Sequence, residues 1–541
     1  MTWLQIYNPL GSLGLSALVA GIPLYILFYM LAVRRSPGHW AALFGTGSAV
    51  VLAILVWGMP VQLAVSSTVM GMAFGLFPIV WIVLTAIWVY NMTVESGEFD
   101  IIRNSLACIT DDRRLQALFI AFAFGSFIEG TAGFGTPVAI TAAMLVGLGF
   151  NPMYAAGICL IANTAPVAFG AIGIPIVVAA QVTDLDMMTI SKVVGRQLPF
   201  LSILVPLWLS VTMCGFKRTL EVLPALIVAG VCFAGTQFTV SNYIGPYLPD
   251  ILSAIVTIVG LGLFLRVWKP SAVFHFPDEK PAGPVTCNYT SGQVIRAWTP
   301  YFILAVMVFL WGLASVKTVL NPIGFTFEWP VLHNLVVKTA PIVAKDTPYA
   351  AKYSFNIASA AGTAILIAGL LSVFIIPNYG FGRAFACLIK TAKQLRFPIL
   401  TISLILGLAY IMNYSGMSSS MGLALSATGA LFPFFAPILG WLGVFLTGSD
   451  TSSNALFGSL QKTTANQIGV NPSLMVAANS SGGVCGKMIS PQSISVATAA
   501  TGMVGEEGNL FRFTLGHSIA MVLFISVLTL LQAYVLKFML P

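Results

Sequence analysis

Runs of about 20 consecutive apolar residues recur from one end of this chain to the other, and each is long enough to cross a bilayer as a helix. No other feature constrains the fold so tightly. Lipid offers backbone N–H and C=O groups no partner, so only helices and closed barrels can span it. A barrel would read as segments of roughly 10 residues with alternating hydrophobicity, and none is evident. Of the 541 residues, 58% are hydrophobic and 8% are charged, against roughly 25% charged in a soluble domain. The expected fold is an all-α polytopic membrane protein. Candidate spans cover about 9–32, 41–59, 77–94, 153–180, 197–214, 222–239, 246–268, 297–316, 354–376, 397–413, 471–504 and 513–539. Two further stretches, about 115–149 and 435–470, are apolar but interrupted by polar or glycine-rich segments.

Charge and cysteine usage exclude other classes. The net charge of +8 follows from Lys and Arg gathered between apolar runs, as cytoplasmic loops of membrane proteins require, so no nucleic-acid partner is needed. Seven cysteines without a CxxC pair and four dispersed histidines (His39, His275, His333, His517) give no support to a metal or haem site. No cofactor is expected. The N-terminus MTWLQIYNPLG lacks a basic n-region and a small-residue cleavage site, so the first apolar run reads as a retained helix.

The two halves of the chain resemble each other. FPIVWIVLTAIWVYNMTVESG (77–97) aligns with FPILTISLILGLAYIMNYSG (397–416), an offset of 320, and GSFIEGTAGFG (125–135) falls opposite GVFLTGSDTSSN (443–454), an offset of 318. NPMYAAGICLIANTAPVAFGAIGIP (151–175) falls opposite NPSLMVAANSSGGVCGKMISP (471–491), pairing Asn163, Gly170 and Pro175 with Asn479, Gly486 and Pro491 at an offset of 316. Matches in one order at one spacing indicate internal duplication.

Loop charge sets the relative orientation. Arg103, Arg113 and Arg114 follow the first copy of the FPI segment, whereas Lys390, Lys393 and Arg396 precede the second. By the positive-inside rule the copies run in opposite directions. Arg34 and Arg35 after the first helix place the N-terminus outside and the linker 269–296 in the cytoplasm. Lys317, Lys338, Lys345 and Lys352 then fall in a long outer loop, which obeys the rule poorly. Segments 61–76 and 379–396 read as interfacial amphipathic helices. The expected organisation is a first inverted repeat over 1–268 with two extra helices, the linker, and a second repeat over 297–541. About twelve spans accompany two re-entrant hairpins (about 115–149 and 435–470), and each hairpin is followed by a span broken at its asparagine (about 153–180 and 471–504). Inverted repeats with discontinuous helices mark secondary transporters, whose substrate site forms near the midplane.

The chemistry concentrates at the hairpin tips and breaks. Tip one is Glu129-Gly130-Thr131-Ala132-Gly133-Phe134-Gly135-Thr136-Pro137; tip two is Thr447-Gly448-Ser449-Asp450-Thr451-Ser452-Ser453-Asn454. Gly133 and Gly135 let the backbone turn, and Thr136 with Pro137 suits the start of a returning helix whose N-terminus attracts an anion. Glu129 and Asp450 are the two acids within the tips, and an intramembrane carboxylate is by default a proton holder or a cation partner. Either could instead pair with a lysine to fix its hairpin. Lys487 in NSSGGVCGKMISPQS, and Lys462 on the returning arm of the second hairpin, could each supply a charge for a carboxylate, or an ion pair with Asp450, or a side chain snorkelling to the surface. Asn163, Thr164, Asn479, Ser480 and Ser481 stand at the expected breaks with Thr131, Ser449, Thr451, Ser452, Ser453 and Asn454 nearby. They suit substrate oxygens, and equally backbone freed by a break. His517 reads as a packed helical histidine. Asn288-Tyr289-Thr290 matches a glycosylation sequon but falls on the cytoplasmic side. Asp111 to Arg114 read as a solvated turn.

With these blocks in place, the chain closely resembles the bacterial L-lactate permease family of lactate and glycolate permeases. The resemblance runs nearly end to end, through TWLQIYNPLG, SFIEGTAGFGTPVAI, ANTAPVAFGAIGIPI, LTGSDTSSNALFGSLQ and ANSSGGVCGKMISPQSISVA. It implies an inner-membrane carrier taking up L-lactate, with D-lactate and glycolate, together with protons. It also implies kinship with an ion-transporter superfamily that uses paired re-entrant hairpins and, in several members, an elevator motion. The residues alone reach an inverted-repeat secondary transporter of a small anion, and oligomeric state stays open. A sodium-coupled di- or tricarboxylate carrier of the same superfamily is the alternative. No Walker A sequence supports ATP-driven transport, and no HExxH or Ser/His pairing supports an enzyme. An anion channel would be separated by non-saturable flux.

Overall fold

The computed structural model describes residues 2–34, 36–133, 135–276 and 289–541; Arg35, Phe134 and Asn288 of the sequence reading lie outside them. Among the described residues, ten helices are long and apolar enough to cross a membrane, and an eleventh span forms if Pro152–Ala162 and Val167–Thr183, bent by 62°, count as one. This is a multi-pass helical membrane protein.

Two expected elements turn out differently. Segment 61–76 is not an interfacial amphipathic helix. Val61–Phe74 is apolar and buries Leu63, Ser67, Met70, Gly71 and Phe74 against Arg396–Ser415. A Cβ on Gly71 would stand 2.4 Å from the Leu406 carbonyl, so glycine allows backbone-close packing of the kind membrane helices use. The helix kinks at Phe77, whose φ of −143° is extended, before Pro78, and resumes as Trp81–Glu95. Segment 379–396 does form an amphipathic helix, Phe381–Gln394, which buries Ala384, Cys387 and Thr391 on one face. The expected span 354–376 shortens to Ala361–Ser372. Its 12 residues rise only about 18 Å, too little for a hydrocarbon core of about 30 Å.

Beyond the short helix Ala314–Leu320, the lysine-bearing loop forms strands. β1 (Trp3–Leu4) pairs in parallel with β3 (Val336–Lys338), which pairs antiparallel with β4 (Thr347–Pro348), while β2 (Phe325–Glu328) pairs antiparallel with β5 (Lys352–Phe355). The all-α expectation therefore holds for the spans and not for this loop. These pairings put the N-terminus and the lysine-bearing loop on one face.

The other face is closed by a charge cluster. Asp112, Arg113 and Arg114 are buried rather than forming a solvated turn. Arg114 bonds Asp112 at 2.7 Å, Glu221 at 2.7 Å and the Ala272 carbonyl at 2.9 Å. Asp112 caps the helix by accepting from the Arg114 N–H at 2.9 Å and accepts from the Phe274 N–H at 3.0 Å. A fully desolvated arginine is tolerated because each of its donors finds an acceptor. This cluster clamps the linker to the base of the first hairpin.

Each interrupted stretch folds back on itself. In the first, helix 113–131 turns at Gly133 and Gly135, both left-handed, into Thr136–Gly147. The Arg113 guanidinium then lies 5.7 Å from the ring centroid of Phe150, just past the end of the returning arm. In the second, Phe432–Thr447 turns at left-handed Gly448 into Asp450–Ile468, and Ser453 Oγ donates to the Gly440 carbonyl across the arms at 3.1 Å. Every residue from 112 to 133 is buried, whereas the outgoing arm of the second hairpin exposes Phe435 and Leu442. The incoming arm of the first hairpin is thus the more enclosed of the two.

Candidate functional site

The first broken helix ends its initial segment at Asn163, which caps Pro152–Ala162, as expected. After a turn the chain runs through Ala171, Ile172 and Gly173 at φ of 44°, 59° and 70° before continuing to Thr183. Left-handed backbone costs an L-residue roughly 1–2 kcal/mol, and a β-branched residue such as Ile172 is a marked outlier there. Such strain collects at functional sites. The second broken helix departs from expectation. Pro472–Lys487 is continuous through Asn479, Ser480 and Ser481, and the interruption falls at 488–490 before Pro491–Thr501. No proline or left-handed residue lies inside that helix, so nothing breaks it at the asparagine. These three residues project from an intact buried helix.

The acids sit at the crossing of these elements. Asp450 Oδ2 accepts from Ser480 Oγ in a short hydrogen bond and from Asn454 Nδ2 at 3.4 Å, leaving Oδ1 without a partner. Asn454 also donates to the Pro175 carbonyl at 3.1 Å and accepts from Asn479 Nδ2 at 2.9 Å. Asn454 thereby ties the second hairpin to both broken helices. Glu129 lies against the break of its own half: a Cβ on Gly170 would stand 2.6 Å from Oε1, and one on Gly133 would stand 3.6 Å away. Glu129 Oε2 has no partner. Lys487 donates to the Gly448 carbonyl at 2.6 Å and lies within Coulomb range of both Glu129 and Asp450. It forms no direct ion pair with either.

Five of the expected residues are buried with polar atoms that no protein group satisfies: Glu129, Asn163, Thr164, Asp450 and Ser481. Buried polar atoms in native proteins nearly always have partners, so unsatisfied atoms on the two hairpin acids and on both broken helices suit a polar ligand.

The remaining candidates take other roles. Thr131 bonds back to the Phe127 carbonyl at 3.0 Å, Ser449 caps its helix through the Ser452 N–H at 3.2 Å, and Ser453 ties the hairpin arms. Thr136, Thr451 and Ser452 are half-buried at the two returning helix starts. Lys462 is not brought to the acids. It donates to the Thr183 carbonyl at 2.6 Å and lines a separate cavity of about 80 Å³ on the face of the N-terminus, with Gln5, Asp184, Lys338, Tyr349 and Asn413. Lys338 there lies 3.6 Å from the Tyr349 ring centroid. His517 accepts from Trp208 Nε1 at 2.8 Å, a packed histidine as expected.

Sequence reading missed two residues of the central site. Gly483 lets Asp450 approach, because a Cβ there would stand 2.3 Å from Oδ1. Gln461 bridges the Ala436 carbonyl at 2.9 Å and Asn479 Oδ1 at 3.1 Å. Neither had a clear signal: Gln461 sits in an arm already rich in Ser, Thr and Asn, and Gly483 stands in a glycine pair.

The fold and site define a polytopic protein with a polar, charged centre enclosed by two hairpins and two interrupted helices, the class of a membrane permease. Residues 16–536 match the family described as L-lactate permease, and the chain belongs to that family. It is 54% identical to the glycolate permease GlcA of Escherichia coli (strain K12) over 558 aligned positions, and 50% identical to the L-lactate permease of Bacillus subtilis (strain 168) over 571, with all of each chain covered. Among solved structures, the YdaH transporter of Alcanivorax borkumensis superposes with a TM-score of 0.45 at 15% identity, covering 88% of this chain and 89% of that one.

Proposed function

We propose that this protein is a secondary active transporter importing L-lactate, and with it D-lactate and glycolate, across the bacterial inner membrane by proton symport. The N-terminus faces outside, and the linker 269–296 faces the cytoplasm. The observation that carries this reading is the set of unsatisfied buried polar atoms on the two hairpin acids and the broken helices, together with the buried Lys487. A small 2-hydroxy acid presents what they lack: a carboxylate for the ammonium of Lys487, and a hydroxyl that both donates and accepts, for Asn163, Thr164 or Ser481. The matching order of elements in the two halves, each with a hairpin, an interrupted helix and a long final helix, supports inverted repeats with re-entrant hairpins.

Charge balance supplies the coupling. One lysine faces two carboxyl groups, so an incoming anion adds negative charge to a centre that already has enough. Carrying a proton with each anion restores the balance, and buried carboxyl groups are the side chains able to hold it. Glu129, with an unpartnered oxygen against the strained backbone of the break, is the better placed; Asp450 is fastened by Ser480.

Lactate accumulation and lactate exchange in proteoliposomes test this, with Glu129→Gln and Asp450→Asn compared across pH. The expected result is that Glu129→Gln retains exchange and loses accumulation driven by a pH gradient. Wild-type uptake indifferent to a pH gradient would sink proton coupling, and uptake that followed sodium instead would replace it with the sodium-coupled alternative.

A further inference from the structure

A third carboxylate lies beside the first hairpin, outside the hairpins and the interrupted helices. Asp250 occupies the first turn of Pro249–Val267, is 1% exposed, and has no hydrogen-bond partner on either side-chain oxygen. An aspartate in a first helical turn ordinarily accepts from backbone N–H groups there; this one does not. The other deeply buried acids away from the hairpins are paired, Asp112 with Arg114 and Glu98 with Arg296. Among the described residues Asp250 has no such cation.

Packing places it next to Glu129. A Cβ on Gly130 would stand 2.8 Å from the Asp250 Cβ, so the acid lies against the residue that follows Glu129, and only glycine fits between the two helices. The connection leading to Asp250 is fixed on the strained break: a Cβ on Gly173 would stand 2.3 Å from the Pro246 carbonyl. Glu129 is the titratable group acting on Asp250, while Lys487 acts on Glu129 from the opposite element. Tyr247 in the same connection contacts Met187 Sδ at 3.7 Å, just after the segment that lines the cavity on the face of the N-terminus.

An ionised carboxylate buried without a cation or donor is too costly to persist, and two neighbouring carboxyl groups titrate as one unit. We propose that Asp250 is a second proton-holding carboxyl of the transport site, paired with Glu129 and lying between it and the face of the N-terminus. A proton arriving from that face resides on the pair, moving from one carboxyl oxygen to the other, while the anion sits by Lys487. This rests on the reading that transport is proton-coupled.

The test compares wild type, Asp250→Asn and Asp250→Glu in proteoliposomes, by lactate accumulation across a range of imposed pH gradients. It is joined by infrared difference spectroscopy of the purified protein for the carbonyl band of a protonated carboxylic acid. Asp250→Asn is expected to displace the pH profile of uptake by about tenfold in proton concentration or more and to remove a protonated-carboxyl band. Asp250→Glu is expected to restore the profile and shift the band. A wild-type profile in Asp250→Asn, or an unchanged band, overturns the proposal. If Asp250→Asn does not fold, an unshifted band in Asp250→Glu overturns it equally. If wild-type uptake ignores the pH gradient, symport itself fails, and the band still decides whether Asp250 holds a proton.

Discussion

The two hairpins come from matching stretches of sequence, yet they solve different problems. The first is sealed inside the protein, with every residue from 112 to 133 buried, and its acid Glu129 lies against glycine backbone with an oxygen left free. The second leans outward, exposes Phe435 and Leu442, and its acid Asp450 is fastened by Ser480 and Asn454. The interrupted helices divide the same way. One bends by 62° through left-handed Ala171 and Ile172, and the other stays regular through the residues that bind Asp450. A carboxyl held by donors is anchored, whereas one without them is free to change its protonation. The two stretches match in sequence, and packing made one a brace and the other a switch.

Removing the cation between the two copies should break the comparison altogether. Lys487→Met is expected to lower lactate uptake by about 30-fold or more, from the loss of at least about 2 kcal/mol when one buried charge is left without its counterpart, measured by initial rates in vesicles. An uptake rate within twofold of wild type would mean that the lysine does not meet the substrate. Lys462→Met, at the separate outer cavity, should cost far less.

Stability should separate brace from switch. Asp450→Asn disturbs the bonds to Ser480 and Asn454 and is expected to cost about 1–2 kcal/mol, seen as a lower melting temperature of the detergent-purified protein. Glu129→Gln breaks no hydrogen bond present in the structure and should leave the melting temperature close to wild type. Equal destabilisation by the two would erase the distinction drawn between the tips.

A smaller effect probes the strained break. Ala171→Gly places a residue that tolerates φ of 44° where an L-residue now stands, at the loss of a single methyl, and should stabilise the fold by up to about 1 kcal/mol. Gly486→Ala, at the position aligned with Gly170, should act in the opposite sense, because the added Cβ would meet the Trp441 carbonyl at 2.3 Å. Thermal melts of both variants check the signs.

The smallest effect concerns the cavity on the face of the N-terminus. Burial, reinforced by the nearby charge of Lys462, pushes the Lys338 ammonium down to about 8. It is charged below that pH and neutral above it, so any pull on an approaching anion fades as external pH rises through 8. The apparent KM for lactate should rise about threefold between pH 7 and 9, and Lys338→Arg, which stays charged, should flatten the rise. A pH-independent KM in wild type would remove Lys338 from the path of the anion.

Much of this protein was legible in its sequence because lipid leaves a chain few choices. Apolar runs must become helices, and an acid among glycines in such a run must be sheltered by protein. That reasoning found both hairpins, the bend at Asn163 and the polar residues around Asp450. It failed where the outcome depended on neighbours. Arg114 looked solvated because its partners Glu221 and Ala272 lie about 100 and 160 positions away. Asn479 looked like a break because it aligns with Asn163, yet a helix breaks only where its backbone has somewhere else to bond. Val61–Phe74 looked interfacial because Arg396–Ser415, the helix covering it, lies far along the chain.

The sequence by itself determined that the chain spans a membrane, that its halves match, and that it belongs with permeases, since periodicity, composition and motif are local properties. Only the tertiary structure decided which acid is fastened and which is free, that Lys487 rather than Lys462 stands between them, and that Asp250 lies beside Glu129. Those outcomes depend on which donors come within about 3 Å of which oxygens, and that distance is set by the packing of helices remote in sequence.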